Sequence, residues 1–178
     1  MEADWEFEIG PDAPVIESYW NGFVDLRAQP ERAWELSECR ELPALADILV
    51  SLNAVSSPVW TCKMDVFTPE HIDPDEMNAS EEDAAHSIAC YIDLLQRNDQ
   101  TWEVPLEAES DCRNLREKLR AILLGNCRVD IVLRRAVLGD VDKLGATVYI
   151  TACGSTLENA KSRLAECMAA FAVVVVSG

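Results

Sequence analysis

Positive charge is scarce in this chain. Fifteen Lys and Arg stand against 32 Asp and Glu in 178 residues, a formal net charge of −17. Phosphate backbones are bound through clustered Lys and Arg, and anionic bilayers attract polybasic segments, so neither direct nucleic-acid binding nor docking on a membrane is expected. Histidine is scarcer still, with two copies, His71 and His86. Glycine occurs seven times, and no P-loop, Gly-x-Gly-x-x-Gly or Gly-x-Ser-x-Gly run exists. Phosphate-cradling loops are therefore expected to be scarce, and no nucleophile elbow is present by pattern. There is no Cys-x-x-Cys and no zinc-finger spacing. The longest apolar run, Cys167 to Val176, has ten residues, half of the ~20 that span a bilayer. The opening MEADWEFEIG places acids where a secretory signal carries Lys or Arg.

Apolar residues make up 49% of the chain, enough to build a core. The length predicts one domain over residues 1–178, with 1–58, 59–109 and 110–178 as sub-units. Seven cysteines, an odd number, together with the acidic start predict free thiols in a reducing, cytoplasmic setting. Each thiol is expected to act as a small buried hydrophobe.

Trp5, Phe7 and Ile9 alternate with Glu6 and Glu8, the period of a half-buried strand. Asn21-Gly22, between Val15–Trp20 and Phe23–Leu26, signals a hairpin. Pro30 and Pro43 each open a helix, the second with Leu45, Ile48, Leu49 and Leu52 on one face. Val59–Phe67 and Ser87–Leu95 read as strands around a polar loop, Thr68–Asp83, and Gln96–Leu106 as irregular chain anchored by Trp102. Ser110 is the expected N-cap of a helix to about Leu124, ended by Gly125 or Asn126. Cys127–Val137 and Ala146–Cys153 follow as strands. A Ser155/Glu158 capping box then starts a helix whose inner face is Leu157, Ala160, Leu164, Met168 and Phe171. The order ββαα-ββα-ββα predicts an α+β fold: an antiparallel sheet with helices on one face, with degenerate ββα repeats as a further idea.

Three strands share Cys-x-apolar-Asp-apolar: Cys62 to Val66, Cys90 to Leu94 and Cys127 to Ile131. Phe23 to Leu26 repeats the last part. Alternation puts Cys62, Met64 and Val66 on one face and Lys63 and Asp65 on the other, and likewise groups Arg128, Asp130 and Arg134. Ordinary alternation, with Asp paired to Lys or Arg on a solvated face, accounts for the pattern. Asp is nonetheless a poor strand former. A convergent cluster of Asp25, Asp65, Asp93 and Asp130 would raise a carboxylate pKa or bind a hard cation, and Asp65, Asp93 and Asp130 are the catalytic candidates.

The loop crowds Glu70, Asp73, Asp75, Glu76, Glu81, Glu82 and Asp83 around His71. His71-x-Asp73-x-Asp75 is a metal candidate, although Asn78 and Ala84 occupy the positions where an EF-hand needs Gly and Glu. His86, Ser87 and Cys90 offer a nucleophile-and-base story without a supporting motif.

Charge is unevenly spread. Residues 1–58 carry 12 acids and 3 bases, residues 59–109 carry 13 and 2, and residues 110–178 carry 7 and 10. All five tryptophans, Trp5, Trp20, Trp34, Trp60 and Trp102, lie in the acidic part. Core filling accounts for most of them, but aromatics beside acids also anchor interfaces with basic proteins. The profile resembles bacterial immunity and inhibitor proteins in type, carried by no motif, and it transfers no site residues.

The expectation is an acidic interaction domain (inhibitor, immunity-type or adaptor) for a basic protein partner. Glu6, Glu8, Trp20, Trp60, Asp73 and Asp75 would form its binding surface, with no cofactor. The alternatives are a metal-binding or hydrolytic enzyme on the Asp cluster, and a small-ligand domain with a cavity between sheet and helices. The oligomeric state stays open between monomer and dimer.

Overall fold

A computed structural model describes residues 1–20, 22–98, 102 and 105–177. Its strands are β1 (Glu2–Phe7), β2 (Ile16–Glu17), β3 (Val59–Phe67), β4 (His86–Gln96), β5 (Cys127–Leu138) and β6 (Val141–Gly154). They form one mixed sheet in the order β1-β5-β6-β4-β3, with β2 beside β5 beyond the end of β1. The helices are α1 (Ser37–Glu41), α2 (Pro43–Asn53), α3 (Pro105–Arg120) and α4 (Leu157–Ser177), with a 3-10 helix over Pro30–Glu35. They lie on one face, so the α+β architecture is as expected. No helix among the described residues is long and apolar enough to cross a membrane.

The β5–β6 hairpin is the longest pairing, from Cys127↔Ala152 to Leu138↔Val141. It turns through Gly139 and Asp140, with Gly139 at φ +65°, a conformation glycine takes without a Cβ penalty. Its helix-facing side chains, Val129, Ile131, Leu133, Val148 and Ile150, are buried, as are Ile92 and Leu94 of β4. α4 lays Ala160, Leu164, Cys167, Met168 and Phe171 on this surface, while Leu157 is exposed. The Val173–Val176 run is the last turn of α4. Its β-branched residues are poor helix formers, so packing against the core holds that turn.

α2 buries Leu45, Ile48, Leu49 and Leu52 as anticipated. Its last residue joins it to the sheet: the buried Asn53 side chain donates to Leu49 O at 2.8 Å and Thr61 Oγ1 at 2.7 Å, and accepts from Thr61 N at 3.1 Å. The Arg97 guanidinium closes the same helix end on the carbonyls of Asn53, Ala54 and Ser57. All seven cysteines are free and buried. Burial pushes the Cys90 and Cys112 thiols up to about 12, as befits packing groups.

Several local expectations are corrected. Phe23–Leu26 forms no strand, and Ile16–Glu17 pairs in parallel with Ala136–Val137 instead of folding back as a hairpin; Asn21 itself lies outside the described residues. β1 is also parallel to β5. The first two strands therefore do not pair with each other, and only β3-β4-α3 and β5-β6-α4 are ββα units. α3 begins at Pro105, whose missing N–H costs nothing at a first helical position, and Ser110 is inside the helix. It ends at Arg120, and Asn126, at φ +60°, makes the entry to β5. Thr156, one residue beyond the expected cap, accepts from Asn159 N at 3.2 Å. Of the segment read as irregular, residues 99–101, 103 and 104 lie outside the described residues; Trp102 is buried and its indole donates to Asp111 Oδ2 at 2.9 Å. Finally, the register shifts between Thr61 and Lys63. This bulge turns Cys62 away from Met64 and Val66 and packs it with Trp60, Ile16, Leu95 and Ala136 in a second, small cluster.

Asn53→Ala removes three buried hydrogen bonds and leaves the Thr61 amide without its acceptor. A loss of about 2–4 kcal/mol in urea unfolding free energy is expected; a loss below about 1 kcal/mol would show that Asn53 is not the joint between α2 and the sheet.

Candidate functional site

The helix-free face of the sheet carries the polar side chains of the alternating strands. The registers place Asp65, Tyr91, Tyr149, Asp130 and Asp4 in one row across five strands. Lys63, Asp93, Thr147, Val132 and Glu6 form the adjacent row. One end of this face is covered by a strap, residues 8–20 and 22–27, which seals the small cluster of Ile16, Phe23, Trp60 and Leu95. The Trp20 indole donates to Cys62 O at 3.1 Å on β3. Arg27 stacks 4.2 Å above the Trp60 ring and pairs with Asp25 at 2.7 Å. That pairing holds the Asp25 carboxyl below its ordinary value. At the other end the acidic loop reaches the face through Glu76, which meets Arg128 at 3.1 Å.

Between the two covers lies a trough. One part of it is a cavity of about 390 Å³ lined by Asp4, Glu6, Arg128, Asp130, Arg134 and Tyr149, among others. A second hollow, which shares Arg128 and Asp130, continues to His71, Asp73 and Glu76. Arg134 organises the floor. Its side chain is only 11% exposed; Nε donates to Glu8 Oε2 at 2.8 Å, and Nη1 donates to Thr147 Oγ1 at 3.0 Å and Tyr149 Oη at 3.2 Å. Thr147 in turn donates to Asp93 Oδ1 at 2.6 Å. Three strands, β5, β6 and β4, and the start of the strap are thus tied by one chain of polar groups, Glu8–Arg134–Thr147–Asp93. Arg128 grips Asp130 through Nε, at 2.8 and 2.9 Å to the two carboxylate oxygens.

Both floor carboxyls are pushed above their ordinary values. For Asp93 the main cause is burial, opposed by the Thr147 hydrogen bond and by Arg134 and Lys63. For Asp130 it is again burial, opposed by Arg128, with Asp4 and Glu76 adding repulsion. Burial also pushes the Tyr91 phenol up, against the pull of Lys63.

The four strand-pattern aspartates do not converge. Asp65 and Asp130 sit three strand spacings apart, about 14 Å, with two tyrosines between them. Asp25 is on the strap, held by Arg27. Among the described residues no group of three or more His, Cys, Asp or Glu is placed to hold a metal ion. In the proposed His71-x-Asp73-x-Asp75 set, Asp73 Oδ1 is engaged by the Asp75 amide at 2.9 Å, closing a local turn. His86 is exposed at the start of β4, about 13 Å along the strand from Cys90, whose thiol is buried against Met168. Of the expected partner-binding residues, Glu6, Asp73, Asp75 and Trp20 are exposed and Glu8 is half-buried on Arg134. Trp60 is 3% exposed beneath Arg27 and presents nothing to a partner.

Arg128, Asp130 and Arg134 were grouped on one face by their spacing alone. Thr147 and Tyr149 were missed, although Thr147-x-Tyr149-x-Thr151 alternates with the apolar Ala146, Val148, Ile150 and Ala152. Comparison of the chain with protein-family models, with curated proteins and with solved structures finds no match.

Asp93→Asn tests the floor. A buried carboxyl whose folded pKa lies above its unfolded value binds more protons folded than unfolded within that interval. Its contribution to stability therefore falls as pH rises from about 4 through the raised value. The Asn variant lacks this penalty. It is expected to be more stable than the wild type at pH 7 and to lose that advantage as pH is lowered toward 4, as read by urea unfolding at four pH values. A variant equally destabilised throughout would mean the charged form is favoured where it sits.

Proposed function

We propose that this chain is a protein-interaction domain that receives a basic partner along the helix-free face of its sheet, as an inhibitor, immunity-type protein or adaptor would. One observation carries this reading. Acidic side chains from β1 (Asp4, Glu6), the residue after it (Glu8), β3 (Asp65), β4 (Asp93), β5 (Asp130) and the loop (Asp73, Glu76) surround a trough whose basic residues are Lys63, Arg128 and Arg134. Arg128 and Arg134 are already held by acids. The trough thus keeps excess negative charge above a tyrosine floor, where Tyr91 and Tyr149 lie 6.1 Å apart. Exposed Tyr19 and Trp20 on the strap supply aromatic surface at its rim. The overall charge of −17 adds long-range attraction for a basic partner.

The test is anisotropy of a labelled arginine-rich peptide at low and at physiological ionic strength. Reversing three exposed acids of the trough, Glu6→Lys, Asp65→Lys and Asp73→Lys, is expected to weaken binding about tenfold or more and to flatten its salt dependence. Reversing three helix-side acids, Glu41→Lys, Glu107→Lys and Glu117→Lys, is expected to change affinity about twofold at most. Equal losses in the two sets would reduce the effect to net charge and discard the trough as the binding surface.

A further inference from the structure

The opposite face of the sheet holds a second cavity, independent of the trough. It opens between α3, the last turn of α4 and the ends of β3 and β4, and measures about 390 Å³. That volume falls within the range of small-molecule sites. Its floor is the fully buried apolar surface of the sheet, Leu94, Ile131, Ala146 and Val148. Its sides are Leu115 of α3 and Val174 and Val175 of α4. Protein interiors usually pack out such a space. Here one floor residue is a small one, Ala146.

Trp102 closes one flank. Its backbone is at φ +65°, an unusual conformation for a bulky residue, and its indole is fixed by Asp111. The mouth carries polar groups from two elements: Gln96 of β4 and, on α3, Asp111, whose carboxylate is engaged by the Trp102 indole. Asn114 and Lys118, one turn apart on α3, both line it. Neither side chain makes a hydrogen bond or ion pair among the described residues. With Asp111 occupied by the Trp102 indole, Lys118 is the one cation of a largely apolar lining, and with Asn114 beside it the mouth suits an apolar chain or ring ending in a carboxylate.

We propose that this cavity binds a small amphiphilic monocarboxylate, its apolar body against Leu115, Val174 and Val175 above Ala146 and its carboxylate on Lys118 and Asn114. At roughly 30 Å³ per non-hydrogen atom, the space admits a body on the order of ten atoms, so decanoate is a suitable probe and decanol its uncharged counterpart.

Calorimetric titration of the full chain with decanoate should saturate at one site, and decanoate should raise the melting temperature. Lys118→Met, a surface change that keeps the apolar stem, should weaken decanoate about tenfold while leaving decanol within about twofold. Ala146→Leu, which fills the floor, should abolish both. Absence of saturation by decanoate up to about 1 mM overturns the proposal. So does a Lys118→Met protein with unchanged preference for decanoate over decanol, or a folded Ala146→Leu protein that still binds. Should Ala146→Leu fail to fold, the Lys118 comparison decides alone.

Discussion

The pairing of β5 with β6 sets the position of everything else. Twelve registered pairs run from Cys127 to Leu138, and every other strand attaches to this ribbon: β1 and β2 along the outer edge of β5, β4 along β6, and β3 on β4. Because side chains alternate, the register also decides which residues meet the helices. Val129, Ile131 and Leu133 point to α4, while Arg128, Asp130 and Arg134 point away. A slip of one residue would place the arginines in the core and the aliphatic residues in water, so the apolar burial on one face and the polar network on the other enforce the same register.

The two faces answer to different energetics. On the helix side, burial is apolar and non-directional, and the cysteines and methionine serve there as compact filling: Cys90 packs on Met168. On the other side the strap and the acidic loop partly close over charged groups, which raises the cost of any unpaired charge. Arg134 meets that cost by satisfying an acid, a threonine and a tyrosine from two neighbouring elements at once. The strap uses the same solution at its own end, where Arg27 stacks on Trp60 and holds Asp25. The consequence is a hydrogen-bonded polar floor whose two carboxyls, Asp93 and Asp130, are pushed above their ordinary values by burial.

Much of this was written in local patterns. Helix α2 follows from Pro43 and the spacing of Leu45, Ile48, Leu49 and Leu52; β3 has the limits its composition predicted; the shared face of Arg128, Asp130 and Arg134 follows from period two. The failures share a cause. Asn21-Gly22 carries a strong hairpin signal, yet the flanking chain is drawn across the sheet because Ile16, Phe23 and Trp60 bury together there. Cys62 departs from its alternation because a bulge at Thr61–Lys63 lets Thr61 reach Asn53 while Trp60 and Cys62 reach the strap. Trp60, a plausible interface anchor from composition, is consumed by that same burial.

The sequence by itself determined the α+β class, most of its elements, the acid excess and the sidedness of β5, because each depends on neighbours a few positions away. Only the tertiary structure decided that β1 and β2 run parallel to β5 and that Asp25, Asp65, Asp93 and Asp130 stay apart. It alone decided that Glu8, Arg134, Thr147 and Asp93 join, and that a cavity remains beneath α3 and α4. These are outcomes of long-range register and packing, in which partners more than fifty positions apart compete for the same space, and no local period encodes that competition.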